Sequence, residues 1–279
     1  RLDATNIIAN PVATVITPVD LDHQQFLGDT LPEIAGEKAG IIKRRVPCIV
    51  GPQQEAGLEV IEAVAARHMA PLSVYGQHWH VGREAGRMVY QDEQGLLDLP
   101  LPNLPGVHQV QNAGGAIATL RALGFDAAAC EGAVTGAQWP ARMQRLKHGP
   151  LVEAAGQAEL WLDGGHNPAA GHALAAVLGE LPQVPTYLIC GMLNTKDIAG
   201  YLAPLAPHVA GLHAVSIPGE AATLPADVTA QAARQIGMEA VEEEGVATAV
   251  SKIVAHTPQA LILICGSLYL AGNILKDNG

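Results

Sequence analysis

Residues Glu159–Leu178 read ELWLDGGHNPAAGHALAAVL, and this stretch decides the fold. It opens with strand-forming residues, breaks at Gly164-Gly165, and continues as a helix-forming run rich in alanine and leucine. Asn167 can cap that helix with its side chain, and Pro168 suits a first helical position. Strand, tight turn and helix make one βα unit. Strand-like segments at 159–163, 186–190, 211–215 and 260–265 alternate with helical ones near 168–181, 197–206, 226–235 and 241–255. That rhythm predicts right-handed βαβ units and a largely parallel sheet.

Towards the N-terminus the alternation persists but is less regular. Segments 13–19, 46–50 and 72–75 read as strands, and 31–43 and 55–68 as helices. A turn-rich β patch covers 77–99, with hairpin signals at Glu84-Ala85-Gly86-Arg87 and Asp92-Glu93-Gln94-Gly95. Pro100, Pro102 and Pro105 mark a loop before helices near 107–123 and 127–136. A boundary near Gln138–Arg142 gives two expected domains, 1–137 and 138–279.

Composition narrows the function. The 279 residues are 49% hydrophobic with 4% aromatic, which suits an α/β core of Ala, Val, Leu and Ile. A net charge of -11 argues against nucleic-acid binding, which needs a basic face. It leaves room for an anionic small substrate at a locally basic site. No apolar run approaches the roughly 20 residues that span a bilayer. Cys48, Cys130, Cys190 and Cys265 never form CxxC, and read as buried free thiols of a cytoplasmic protein. The first residue is Arg, with no signal peptide, so the chain is expected to be a fragment.

Two residues stand out chemically. In GEKAGIIK (36–43), Ile34, Lys38 and Ile41 share helical spacing, which puts Lys38 on the inward stripe. Lys43 lies elsewhere on the helix, where a cation favours the C-terminal dipole. On spacing alone Lys38 is either a lysine whose head snorkels to a carboxylate or one altered chemically or set against an anionic ligand. His23, in DLDHQQFLGDT, follows a strand at the edge where parallel sheets bind ligands. It is read either as a structural hydrogen-bonder or as a metal ligand. His78-Trp79-His80 puts two histidines on one strand face, but without a third ligand it reads as a surface strand.

RLDATN at the start, LDHQQFLG, GEKAGI, LPGVHQVQNA, WPARMQ, LDGGHNP and GMLNTKD occur in one order along the chain. Together they resemble the folylpolyglutamate synthase/dihydrofolate synthase family, ATP-dependent enzymes of the Mur ligase superfamily. The resemblance implies an α/β fold in two parts. The first is a Mur-ligase central domain, a P-loop-type sheet without its N-terminal part. The second is a Rossmann-like C-terminal domain.

It also implies that Lys38 is carbamylated and, with His23, holds Mg²⁺, a hard cation that prefers oxygen ligands. Lys38 and His166 are the implied catalytic residues. Asn112, Arg142 and Asp163 are implied ATP contacts, and Leu2, Asp3 and Ala4 are implied folate contacts. Lys196 could face the anionic glutamate. The implied reaction is ADP-forming addition of L-glutamate to dihydropteroate or a reduced folate, by a monomer.

Departures are mild at Val107, Ala141 and Gly165, where the family often has Arg, Gly and Ala. The long spacing from Arg142 to Asp163 suggests an extended hairpin. No lysine follows a glycine, so these residues hold no GxxxxGK[ST] loop, and the fragment is expected to be inactive alone. The rival readings are a cell-wall Mur ligase and a non-catalytic nucleotide-binding fragment. A Rossmann oxidoreductase would need a glycine fingerprint that is absent here.

Overall fold

The structure is a computed structural model that describes residues 2–21 and 24–278. The chain divides into two compact units, one of residues 1–103 and 107–138, the other of 104–106 and 139–279.

Unit 1 contains a three-stranded parallel sheet in the order β1 (Thr14–Ile16), β2 (Cys48–Val50), β3 (Leu72–Val74). Helices α1 (Gln24–Leu27) and α2 (Leu31–Ala39) join β1 to β2, and α3 (Glu55–His68) joins β2 to β3. Ile34, Ile61, Val50 and Val74 close one core between helices and sheet. An antiparallel meander follows, β4 (Trp79–Glu84), β5 (Arg87–Asp92) and β6 (Gly95–Leu99). Both hairpins close through the two-residue turns expected from the sequence. Helices α4 (Val107–Ala122) and α5 (Ala127–Gly136) complete a second core around Trp79, Tyr90, Ile117 and Val134.

That second core carries a buried ion pair. Arg121 on α4 donates from Nε and Nη2 to the two oxygens of Asp92 on β5, both at 2.8 Å. The Tyr90 hydroxyl adds a bond to Asp92 at 3.2 Å. Burial, with the Asp92 carboxylate beside it, holds the Tyr90 phenol well above its ordinary range, so it remains a donor.

Unit 2 is built on one six-stranded sheet. Its strands are β7 (Gln144–Arg145), β8 (Glu159–Leu162), β9 (Thr186–Cys190), β10 (Gly211–Ala214), β11 (Ala240–Glu242) and β12 (Leu261–Cys265). The order is β11-β10-β9-β12-β8-β7, parallel except for the antiparallel pairing of β7 on β8. Helices α6 (Pro150–Ala155), α7 (Pro168–Glu180), α8 (Ile198–Leu202), α9 (Ala226–Gln235), α10 (Val246–His256) and α11 (Leu268–Asn278) accompany it. Two apolar clusters hold the unit together, one around Leu188, Leu212 and Leu263, the other around Leu160, Ile189 and Ile262. Alternate residues of the same strands supply both, as strands covered on each face require.

Three sequence expectations change. The segment near 241–255 is not one helix, because Ala240–Glu242 pairs with β10 before α10 begins. The Arg142–Asp163 insert is an antiparallel pair, β7 on β8, but its connection contains helix α6. Helix α2 stops at Ala39, short of the expected Lys43.

A buried carboxylate fastens the edge strand β11. Glu243, just after β11, meets His213 Nδ1 on β10 at 3.0 Å and the Lys252 ammonium of α10 at 2.7 Å. The lysine contact is an ion pair whose direction departs from that of a hydrogen bond, since Glu243 Oε2 has no hydrogen-bonding partner among the described residues. Burial raises the Glu243 pKa, but Lys252 and His213 together outweigh it and hold the carboxyl below its ordinary range. A depressed folded value means that the stabilisation is complete above the unfolded pKa and is lost as pH falls through the folded one. Thermal midpoints should therefore fall on the acid side of the ordinary glutamate range, and in Glu243→Gln that acid-side fall should be shallower. Identical pH profiles for the two proteins would contradict this.

All four cysteines are free and buried. Burial pushes the Cys48 and Cys130 thiols above their ordinary range, which makes them poor nucleophiles. Among the described residues no helix is long and apolar enough to cross a membrane.

Candidate functional site

In unit 2 the sequence brings its chemistry to the C-terminal end of β8. Asp163 follows the buried Leu162 and is itself 5% exposed. Its Oδ1 accepts from Gly165 N–H at 2.7 Å and its Oδ2 from Met143 N–H at 2.8 Å. Gly164 N–H donates to the Ala141 carbonyl at 2.9 Å. The turn after β8 and the loop carrying Arg142 are thus one hydrogen-bonded assembly, with Arg142 half-buried within it.

The two glycines of the turn are required by space. A Cβ on Gly164 would sit 2.3 Å from Leu268 Cδ2, and one on Gly165 would sit 2.9 Å from the Ala170 Cβ. His166 Nδ1 lies 2.9 Å from the Gly164 carbonyl, which can only accept, so the proton is on Nδ1. Nε2 is left to face a partner of its own. Asn167 caps α7 by accepting from Ala170 N–H at 2.9 Å, and Pro168 occupies the first turn. The remaining N–H groups of that first turn and the helix dipole favour an anion beside His166. Lys196 is half-buried in the loop after β9, which reaches the same edge of the sheet.

In unit 1, Leu2 is exposed and Asp3 caps the short 3-10 turn Ala4–Ile7. Hydrogen bonds from the Thr5 hydroxyl and backbone hold the Asp3 carboxyl below its ordinary range, against a desolvation effect. Lys38 adds a smaller lowering, so the ammonium lies within electrostatic reach of Asp3. Lys38 is exposed, which corrects the inward placement expected from spacing. Ile34, Ala35, Ala39 and Ile42 form the buried stripe instead, leaving Lys38 beyond its margin. His23 lies outside the described residues.

Asn112 is on the exposed side of α4 and donates to Gln109 Oε1 at 3.0 Å. His78 is no strand-face ligand, because it precedes β4 and its Nδ1 accepts from Val74 N–H at 3.0 Å. Trp79 beside it is fully buried. Among the described residues no three His, Cys, Asp or Glu side chains converge to hold a metal ion. Sequence reasoning missed one connection here: Lys43 Nζ donates to Asn6 Oδ1 at 2.5 Å and ties the Ala4–Ile7 turn to the end of α2. Nothing in the spacing of a lysine and an asparagine so far apart in sequence announces it.

Comparison with known proteins places this geometry. Residues 141–268 match the glutamate ligase domain of Mur ligases. The chain is 32% identical over 281 residues to the dihydrofolate synthase/folylpolyglutamate synthase of Escherichia coli, covering 99% of this chain and 62% of the relative. It is 30% identical over 288 residues to the folylpolyglutamate synthase of Lacticaseibacillus casei, covering 98% and 63%. The chain is a homologue of the folylpolyglutamate/dihydrofolate synthases.

Solved structures agree with that assignment to the Mur ligase superfamily. The E. coli FolC structure in complex with DHPP and ADP superposes with a TM-score of 0.84 at 30% identity, covering 99% of this chain and 63% of that one. The Mycobacterium tuberculosis folylpolyglutamate synthase complexed with ADP and AMPPCP gives 0.81 at 30% identity, covering 98% and 65%. This chain therefore spans about 63% of the length of the relatives it matches.

Proposed function

We propose that the protein to which these residues belong is an ADP-forming amide ligase that adds L-glutamate to dihydropteroate or a reduced folate. The γ-phosphate of ATP passes to the folate carboxylate, whose oxygen attacks phosphorus as ADP leaves. The glutamate amine then attacks the acyl phosphate carbonyl, a proton is lost from nitrogen, and phosphate departs. The observation that carries this reading is the turn after β8: His166 beside the first turn of α7, hydrogen-bonded to the Arg142 loop, inside a Mur ligase glutamate ligase domain.

Arg142 offers a planar donor fork and His166 a ring nitrogen to polyphosphate oxygens, and α7 adds the favourable end of its dipole. Asp163 and Asn112 complete the nucleotide contacts, and Leu2, Asp3 and Ala4 touch the pterin. Lys196 faces the incoming glutamate carboxylates. Charge on the transferring phosphoryl group has to be neutralised, and these donors are suited to it.

Magnesium belongs to this reading. The fit rests on Lys38, whose exposure allows CO₂ to reach the amine. A carbamate there would supply an anionic oxygen beside the Asp3 carboxylate, a hard donor set suited to that ion. Lys38 and His23 would hold the ion, which when bound offsets phosphate charge. The protein is read as a cytoplasmic monomer.

The test is ADP release in the presence of MgATP, L-glutamate and either dihydropteroate or tetrahydrofolate. Full-length protein should turn over with at least one of them, and Lys38→Ala should lower kcat by about a hundredfold or more, as loss of a charge-stabilising group does. Near-normal turnover by Lys38→Ala, or no turnover with either acceptor, would refute the assignment. The 279 residues alone hold no GxxxxGK[ST] loop and should neither hydrolyse ATP nor ligate.

A further inference from the structure

We propose that Asp163 is a positioning residue: its carboxylate latches residues 141–143 in a left-handed backbone conformation and so presents Arg142 to the nucleotide phosphates. The proposal rests on the nucleotide-site reading above, and it changes what Asp163 does there.

The backbone carries the argument. Ala141 has φ 56° and Met143 has φ 42°, so two non-glycine residues in the left-handed region flank Arg142. Residues with a Cβ hold that conformation only where the surroundings over-determine it. Here they do. The Ala141 carbonyl accepts from Gly164 N–H at 2.9 Å, and Ala141 N–H donates to Gln144 Oε1 at 2.9 Å. Met143 N–H is held by Asp163 Oδ2 at 2.8 Å. The side chain of Ala141 packs into the cluster around Leu160 and Ile262, and that of Met143 into the cluster around Leu188 and Leu263. The loop therefore passes from one core to the other beside the end of β8, and Arg142 is left between them at the rim.

Asp163 is badly placed to act directly. It is 5% exposed, and both its oxygens already accept backbone N–H groups. An ordinary ligand contact would need a carboxylate that faces solvent. A latch needs one that does not.

The two roles separate by experiment in the full-length protein. Asp163→Asn keeps one acceptor and turns the other into a donor facing an N–H. Amide exchange at Met143 and Gly165 should speed up by about tenfold or more, the worth of a hydrogen bond to a charged group. ADP should bind about as weakly as it does to Arg142→Ala, the double variant should be no weaker than Arg142→Ala alone, and adenosine affinity should be unchanged. Gln144→Ala, which frees the Ala141 N–H without touching the acid, should cost ADP affinity in the same phosphate-selective way but less. It covers the case in which Asp163→Asn does not fold.

Equal losses for adenosine and ADP, additive losses in the double variant, or unchanged exchange at Met143 would each overturn the proposal. Wild-type protein that binds no ADP would instead overturn the nucleotide reading, and the exchange measurement would then judge the latch by itself.

Discussion

Replacing Arg121 with alanine is expected to destabilise unit 1 by about 3–5 kcal/mol, the cost of leaving one member of a buried ion pair alone. The Arg121 and Asp92 side chains are only 9% and 10% exposed, and the guanidinium meets the carboxylate with two parallel bonds. Without it, Asp92 keeps the single Tyr90 hydroxyl and a charge inside a low-dielectric core. Arg121→Lys should recover only part of the loss, since an ammonium cannot reproduce the fork.

The same chemistry on the surface provides a control. Arg87 and Asp98 approach to 2.6 Å but are 48% and 56% exposed. Arg87→Ala should cost less than about 1 kcal/mol, because water replaces what the pair supplied. Urea unfolding of the three variants would decide it. Equal losses at Arg121 and Arg87 would mean that burial does not set the energy of these pairs.

Gly171→Ala is expected to cost roughly 3 kcal/mol, at the upper end of ordinary overpacking. Gly171 is on α7, where a Cβ would come 2.3 Å from the Tyr201 main-chain oxygen and 3.1 Å from Pro204 Cγ. A flexible side chain could move aside, but a helix backbone cannot. Either α7 or α8 has to shift, and α8 carries the fully buried Tyr201 and Leu202. Because α7 starts at the candidate site, nucleotide binding should weaken along with stability. Gly132→Ala on α5 is the contrasting case: nothing lies within 4 Å of its Cβ position. There alanine should stabilise by about 0.5–1 kcal/mol, through better helix propensity. A Gly171→Ala protein with a wild-type melting temperature would show that the α7–α8 approach is looser than described.

Much of the fold was legible where local chemistry and long-range packing agree. α5 and α9 run over the expected residues because each is an uninterrupted helix-forming run ended by a sharp change of composition. The hairpins at Ala85-Gly86 and Glu93-Gln94 follow from turn residues between alternating strands. Ala240–Glu242 was misread because three residues of an edge strand carry no periodicity of their own, and only the open side of β10 makes them a strand. Helix α6 was missed for a related reason: Pro150–Ala155 is short, and its N-terminus is secured by Asn278, whose Oδ1 accepts from Leu151 N–H at 2.8 Å across the whole length of unit 2.

The candidate site divides along the same line. Asn167 and Pro168 announce the start of α7, and the glycines before them announce a turn, because caps and turns are settled within a few residues. Lys38 was placed inward by a period that assumes α2 continues to Lys43. With the helix ending at Ala39, the buried stripe rotates towards Ala35 and Ala39, and the lysine is left outside. The partners of Asp163 could not be read at all. Met143 is twenty residues away in sequence, and its left-handed backbone has no signature in a methionine.

By itself the sequence determined the βα rhythm, the helix caps, the turns and the kinship with glutamate-adding ligases, since each is written in neighbouring residues or in an ordered set of motifs. Only the tertiary structure decided which carboxylate is consumed internally, which lysine meets solvent and what carries Arg142. Those outcomes depend on backbone groups that become neighbours only when distant strands pair, and no local pattern encodes them.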